Sequence, residues 1–247
     1  MSGLHLLSVA VGFLTRLPVG RVRVGVDDLS RSTAFFPVVG LGLGLTLAGV
    51  AWLGMPYLSP QLLAVLLLAL LEGVTGGLHL DGLADVFDGL GAGSRNPIRT
   101  LAIMQDSRIG AHGAAAVVLV LLGKAFGVSQ ALEHRAYAVL ITFPLAARWA
   151  VVPLIAFFPP ARAEGLGLAF NRHAGPWQAT VATIFFVTPI LYFGPQLAVP
   201  AIAALLAAVA LAGVVHLRVR GLTGDAYGAA VELAEVVFLM AVFPTSG

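Results

Sequence analysis

Seven apolar runs constrain this chain more than any other feature: 34–55, 60–78, 109–130, 137–158, 177–194, 199–217 and 227–243. A bilayer core of ~30 Å is crossed by about 20 helical residues, and each run is close to that length. Lipid offers no water to the backbone, so a spanning segment must satisfy itself as a helix and exclude charge. Composition agrees, with 59% of residues hydrophobic and 11% charged, against about 25% charged in a soluble domain. The expected fold is all-α, a polytopic membrane helix bundle of about six to eight transmembrane helices, forming one membrane domain over 1–247. The last run carries Glu232 and Glu235 and is the least lipid-like. The opening LHLLSVAVGFLTRLPVG lacks the charged region and cleavage site of a secretory signal. It is too short to span and is closed by Arg16 and Pro18, so residues 4–14 read as an interfacial or re-entrant helix.

The connecting segments alternate in charge. One side takes 15–33 (Arg16, Arg21, Arg23, Arg31), 79–108 (Arg95, Arg99, Arg108), 159–176 (Arg162, Arg172) and 218–226 (Arg218, Arg220). The other side takes only Arg135, while Lys124 and Arg148 fall inside apolar runs. Positive charge stays on the cytoplasmic side of a membrane protein, so the arginine-rich face is expected there.

Eight of the twelve carboxylates lie in three places: Glu72; the set Asp81, Asp85, Asp88 and Asp106; and the set Asp225, Glu232 and Glu235. In the run EGVTGGLHLDGLADVFDGLGAGSR, helix over 80–89 puts Asp81, Asp85 and Asp88 at i, i+4 and i+7, one stripe. Three anions on a stripe repel, and a bound cation relieves them. With no cysteine in the chain, a metal must be held by oxygen or imidazole, which suits Mg²⁺ or Mn²⁺. Asp106 is a further candidate ligand, and also reads as a cap for the run after it. Asp225, Glu232 and Glu235 share roughly one helix face. Carboxylates inside a membrane are costly and point to function, although pairing with Arg148 or Lys124 is the structural alternative. His79 reads as a ligand, a base or a backbone-bonded histidine at a helix end. Arg95, Arg99 and Arg108 could grip phosphates bidentately or serve only as the topology signal.

Four runs resemble the cobalamin-5′-phosphate synthase family, the adenosylcobinamide-GDP ribazoletransferases. They are FLTRLPVG near the start, FFPVVGLGLG at 35–44, TGGLHLDGLADVFDGLGAG at 75–93 with LAIMQDSRIGAHGA at 101–114, and GLTGDAYGAAVELAE at 221–235. The resemblance implies an enzyme of the bacterial inner membrane that joins adenosylcobinamide-GDP to α-ribazole or its 5′-phosphate, releases GMP and uses Mg²⁺. It implies Asp81, Asp85, Asp88 and Asp106 as metal ligands, and Asp81, Asp225 or Glu232 as the base. Arg95, Arg99, Arg108, Glu72 and His79 are then candidate substrate contacts. Membrane lipid surrounds such an enzyme, no nucleic acid is expected, and a homo-oligomer is compatible with it.

Two rival functions compete with this reading. The CDP-alcohol phosphotransferase signature D-x2-D-G-x2-A-R-x8-G-x3-D-x3-D fits Asp85, Asp88, Gly89, Ala92 and Asp106, but Gly93, Ala102 and Gly110 replace its Arg, second Gly and last Asp. A transporter using Glu72, Glu232 and Glu235 as a relay should have repeat symmetry between halves, and the sequence has none.

Overall fold

A computed structural model of the chain describes residues 2–20, 23–25 and 27–243; Arg21, counted above among the topology arginines, lies outside them. The described residues form α1 (Gly3–Leu14), α2 (Asp28–Ser32), α3 (Phe36–Gly54), α4 (Pro60–Thr75), α5 (Leu78–Gly91) and α6 (Pro97–Ile103). They continue with α7 (Ala111–Glu133), α8 (Tyr137–Phe157), α9 (Leu166–Asn171), α10 (Pro176–Phe193), α11 (Ala198–Val219) and α12 (Gly224–Val242). All seven apolar runs are helices, and the N-terminal segment is the short helix α1.

Among the described residues five helices are long and apolar enough to cross a membrane, or six if α4 and α5, bent by 89°, are counted as one broken span. The 19-residue α12 stands apart because Asp225, Glu232 and Glu235 lie along it. The bend has a local cause. Gly76 and Gly77 follow α4 with φ of 71° and 69°, left-handed values that only glycine adopts without strain. Two in succession end one helix and restart another at nearly a right angle.

Helix α8 is the axis of the bundle: its apolar window is 89% buried, against 22% for α10. Helix α3 packs on it through Gly40 and Gly44, where an added Cβ would run into the carbonyls of Pro144 and Ile141. Without a hydrophobic drive between helices in lipid, such close backbone approach supplies the packing energy. Leu119, Phe126, Leu191 and Leu217 face outward, as lipid-facing side chains must.

The ends of the bundle are distinct. At one end Gln61 donates to Glu133 at 2.8 Å, and the His134 and Phe243 rings lie 5.1 Å apart. At the other, Arg16 donates to the Gly76 carbonyl, Arg162 to that of Leu101, and Arg218 to that of Ser94. The arginine-bearing connections therefore gather at a single end, as their alternation along the chain requires.

Candidate active site

At that end lies the acidic stripe. Leu83 and Val86 on one face of α5 are fully buried, so Asp81 turns outward and Asp85 and Asp88 are half-buried. The start of α12 packs against this helix. A Cβ on Gly82 would come within 2.6 Å of the Asp225 carbonyl oxygen, so glycine lets the two backbones touch. Asp225 thereby joins the stripe, and Asp81 and Asp225 line one cavity. Asp85 lies within electrostatic reach of Asp225, Asp81 and Asp88, with Arg162 supplying the opposing charge. Arg162 stands 4.0 Å from Asp225. Asp81, Asp85, Asp88 and Asp225 thus share one neighbourhood, with the Arg162 guanidinium beside it, an excess of negative charge suited to a hard cation.

The four expected metal ligands are not equivalent. Asp88 accepts hydrogen bonds from the backbone N–H groups of Gly110 at 2.7 Å and Gly113 at 2.9 Å. It caps α7, whose N-cap residue is Gly110 and which has no side-chain cap of its own. That is the role the sequence suggested for Asp106. Asp106 is instead paired with Arg108, Oδ2 to Nη2 at 2.6 Å, and the hydrogen bonds from Arg108 hold its carboxyl down at about 2. Among the described residues no three carboxylate or imidazole groups lie close enough to hold a metal ion together.

Glu232, a candidate base, sits elsewhere. Lys124 of α7, fully buried, lies 3.1 Å from Glu72, 3.0 Å from Glu232 and 2.6 Å from Glu235. Arg148 of α8 pairs with Glu235, and one of its Nη atoms lies 3.4 Å from Nδ1 of His79. Glu72, Glu232 and His79 therefore belong to a buried ionic network joining five helices, the pairing noted above as the structural alternative. Arg95 and Arg99 are exposed, and neither has an ion-pair partner among the described residues. Arg16 and Arg162 look like topology charges in the sequence, yet Arg16 lines a cleft with Asp81 and Arg162 faces Asp225. The signal available for Arg16 was its place in FLTRLPVG.

A family profile described as Cobalamin-5-phosphate synthase matches residues 6–243. The chain belongs to the cobalamin-5-phosphate synthase family. Its relatives include proteins named adenosylcobinamide-GDP ribazoletransferase from Geotalea daltonii, 42% identical over 99% of both chains, and Desulfitobacterium hafniense, 36% identical over 99% of this chain and 98% of that one. One of the same name from Brevibacillus brevis is 38% identical over 94% of each. No solved structure matches the chain. The run TGGLHLDGLADVFDGLGAG builds the bend and the whole of α5, while GLTGDAYGAAVELAE leads into α12 past a bridge between Pro160 and Leu222 and supplies both Asp225 and two carboxylates of the buried network.

Proposed function

We infer that this chain is an adenosylcobinamide-GDP ribazoletransferase, which transfers adenosylcobinamide phosphate to α-ribazole or its 5′-phosphate with release of GMP. The observation that carries the site assignment is the meeting of Asp225 with the Asp81–Asp85 stripe at the arginine-bearing end. A ribose hydroxyl oxygen forms a bond to the phosphorus on the cobinamide arm as the bond from that phosphorus to the GMP oxygen breaks. The chain's part is positioning and charge control, the main needs of phosphoryl transfer. Asp225 takes the hydroxyl proton, being the carboxylate that faces the stripe from a second helix, and Arg162 orients it. Arg16, beside Asp81, meets phosphate oxygen.

Asp81 and Asp85 would hold Mg²⁺, an ion that commonly binds one or two carboxylates and fills its shell with water and phosphate oxygen. That preference accommodates a site with no three clustered ligands. When bound, the ion neutralises charge on the diphosphate. Asp88 acts by fixing α7 against α5. By the excess of arginine, the active end faces the cytoplasm.

For the phospholipid-synthesis rival the chain lacks the Arg and last Asp of the signature, and the transporter's relay carboxylates are bound to Lys124 and Arg148. The test is an assay of purified protein with adenosylcobinamide-GDP and α-ribazole 5′-phosphate, with and without Mg²⁺. Stoichiometric GMP with a cobalamin product is expected with the ion. Turnover undiminished by chelation would remove the metal assignment, and no GMP under any condition would remove the activity.

A further inference from the structure

One cavity is left unexplained by the transfer chemistry. It runs from Asp81 and Asp225 inward to an aromatic cluster. Phe170 of α9 meets Phe13 of α1 edge-on at 4.6 Å and Phe36 of α3 at 5.8 Å. Tyr227, one turn into α12, also lines it. Tyr227 is 6% exposed, and its hydroxyl has no hydrogen-bond partner among the described residues. A buried hydroxyl left unpaired is costly, so an orphan of this kind beside a cavity points to a ligand that completes it.

We propose that this cavity seats the aromatic base of the acceptor nucleoside, with Tyr227 donating a hydrogen bond to the base's ring nitrogen. The proposal rests on the ribazoletransferase reading. Ligand and site match in three respects. The benzimidazole of α-ribazole is flat and apolar, and phenylalanine rings hold such faces by offset or edge contacts. Its riboside keeps one acceptor, the unsubstituted ring nitrogen, against one orphan donor. Its ribose would emerge where Asp81 and Asp225 line the mouth, which brings a hydroxyl to the proposed base. Guanine fits worse, because its several edge donors and acceptors would be stranded against Phe13, Phe36 and Phe170.

The test uses the full chain in detergent and the base's own fluorescence to follow binding. The probes are α-ribazole and the matching indole riboside, which has C–H in place of the acceptor nitrogen. Wild type should bind α-ribazole about tenfold more tightly than the indole riboside, the value of one well-placed hydrogen bond. Tyr227→Phe should abolish that preference and raise KM for α-ribazole by about three- to tenfold, leaving KM for adenosylcobinamide-GDP unchanged. Phe170→Leu should weaken both ribosides alike. Equal binding of the two ribosides by wild type overturns the proposal without needing any variant to fold. So does a Tyr227→Phe effect confined to adenosylcobinamide-GDP, which would make the cavity a nucleotide site. Absence of GMP release by wild type, with the riboside preference intact, would instead defeat the transferase reading.

Discussion

Lys124 lies 2.6 Å from Glu235 in the fully buried centre of the bundle, and around this pair the spans α4, α7, α8 and α12 meet. Two further carboxylates, Glu72 and Glu232, approach the same ammonium. Removing one partner of a buried ionic group strands the others without water. Lys124→Met should therefore lower stability by about 3–5 kcal/mol, and adding Glu232→Gln, which neutralises the buried carboxylate paired with Lys124 alone, should recover part of the loss. Thermal unfolding of the detergent-solubilised single and double variants reads both. A stable single variant would show that the network does not bind the spans together.

Asp85 and Asp88, three residues apart, should respond differently to loss of charge. Asp85→Asn removes a member of the carboxylate cluster and should reduce kcat by at least about a hundredfold, on the scale of losing an electrostatic group at a phosphoryl-transfer site. Asp88→Asn keeps an oxygen able to accept from Gly110 or Gly113 and should be milder. Asp88→Ala loses the cap and should cost about 1 kcal/mol of stability. Steady-state rates beside melting curves separate the two roles, and equal loss of kcat in both Asn variants would return Asp88 to the chemistry.

Gly44→Ala tests the contact between α3 and α8. The new methyl would strike the Ile141 carbonyl, backbone that cannot swing aside as a side chain could. Overpacking of this kind costs about 1–3 kcal/mol. A lowered melting temperature with unchanged KM values is expected, since the contact is remote from the acidic stripe.

The pair of Asp106 and Arg108 has a defined pH window. Arg108 holds the Asp106 carboxyl down at about 2, below its usual 3.8. Its contribution is thus present above the usual value and fades as pH falls through about 2. Between pH 5 and 8 the pair does not titrate. The rate profile of Asp106→Asn should match wild type in shape over that range, whatever its height; a displaced acid limb would mean that Asp106 titrates in the reaction.

Absence of native cysteine makes single-cysteine labelling clean. Cysteine placed at Arg95 or Arg99, both exposed, should be protected from a membrane-impermeant maleimide in spheroplasts and react once the membrane is opened. Labelling from the opposite face would invert the proposed orientation.

The sequence by itself determined the helices, because a lipid solvent permits a long apolar run few conformations. It determined the α5 stripe as well, since i, i+4 and i+7 share a face of any helix. Family membership was equally legible, carried by four runs in fixed order. Which carboxylates act together was decided by tertiary structure. Asp225 lies far from Asp85 in the chain, and they meet because Gly76 and Gly77 turn α5 across the start of α12 and Gly82 admits its backbone. Glu232, seven residues beyond Asp225, is drawn instead to Lys124, whose burial leaves it only carboxylates for partners. Asp88, indistinguishable from Asp85 by spacing, accepts the N–H groups of α7 because that helix begins at its side. Charge and periodicity are local properties and can be read along a chain; the neighbour that neutralises a buried charge depends on how the helices pack.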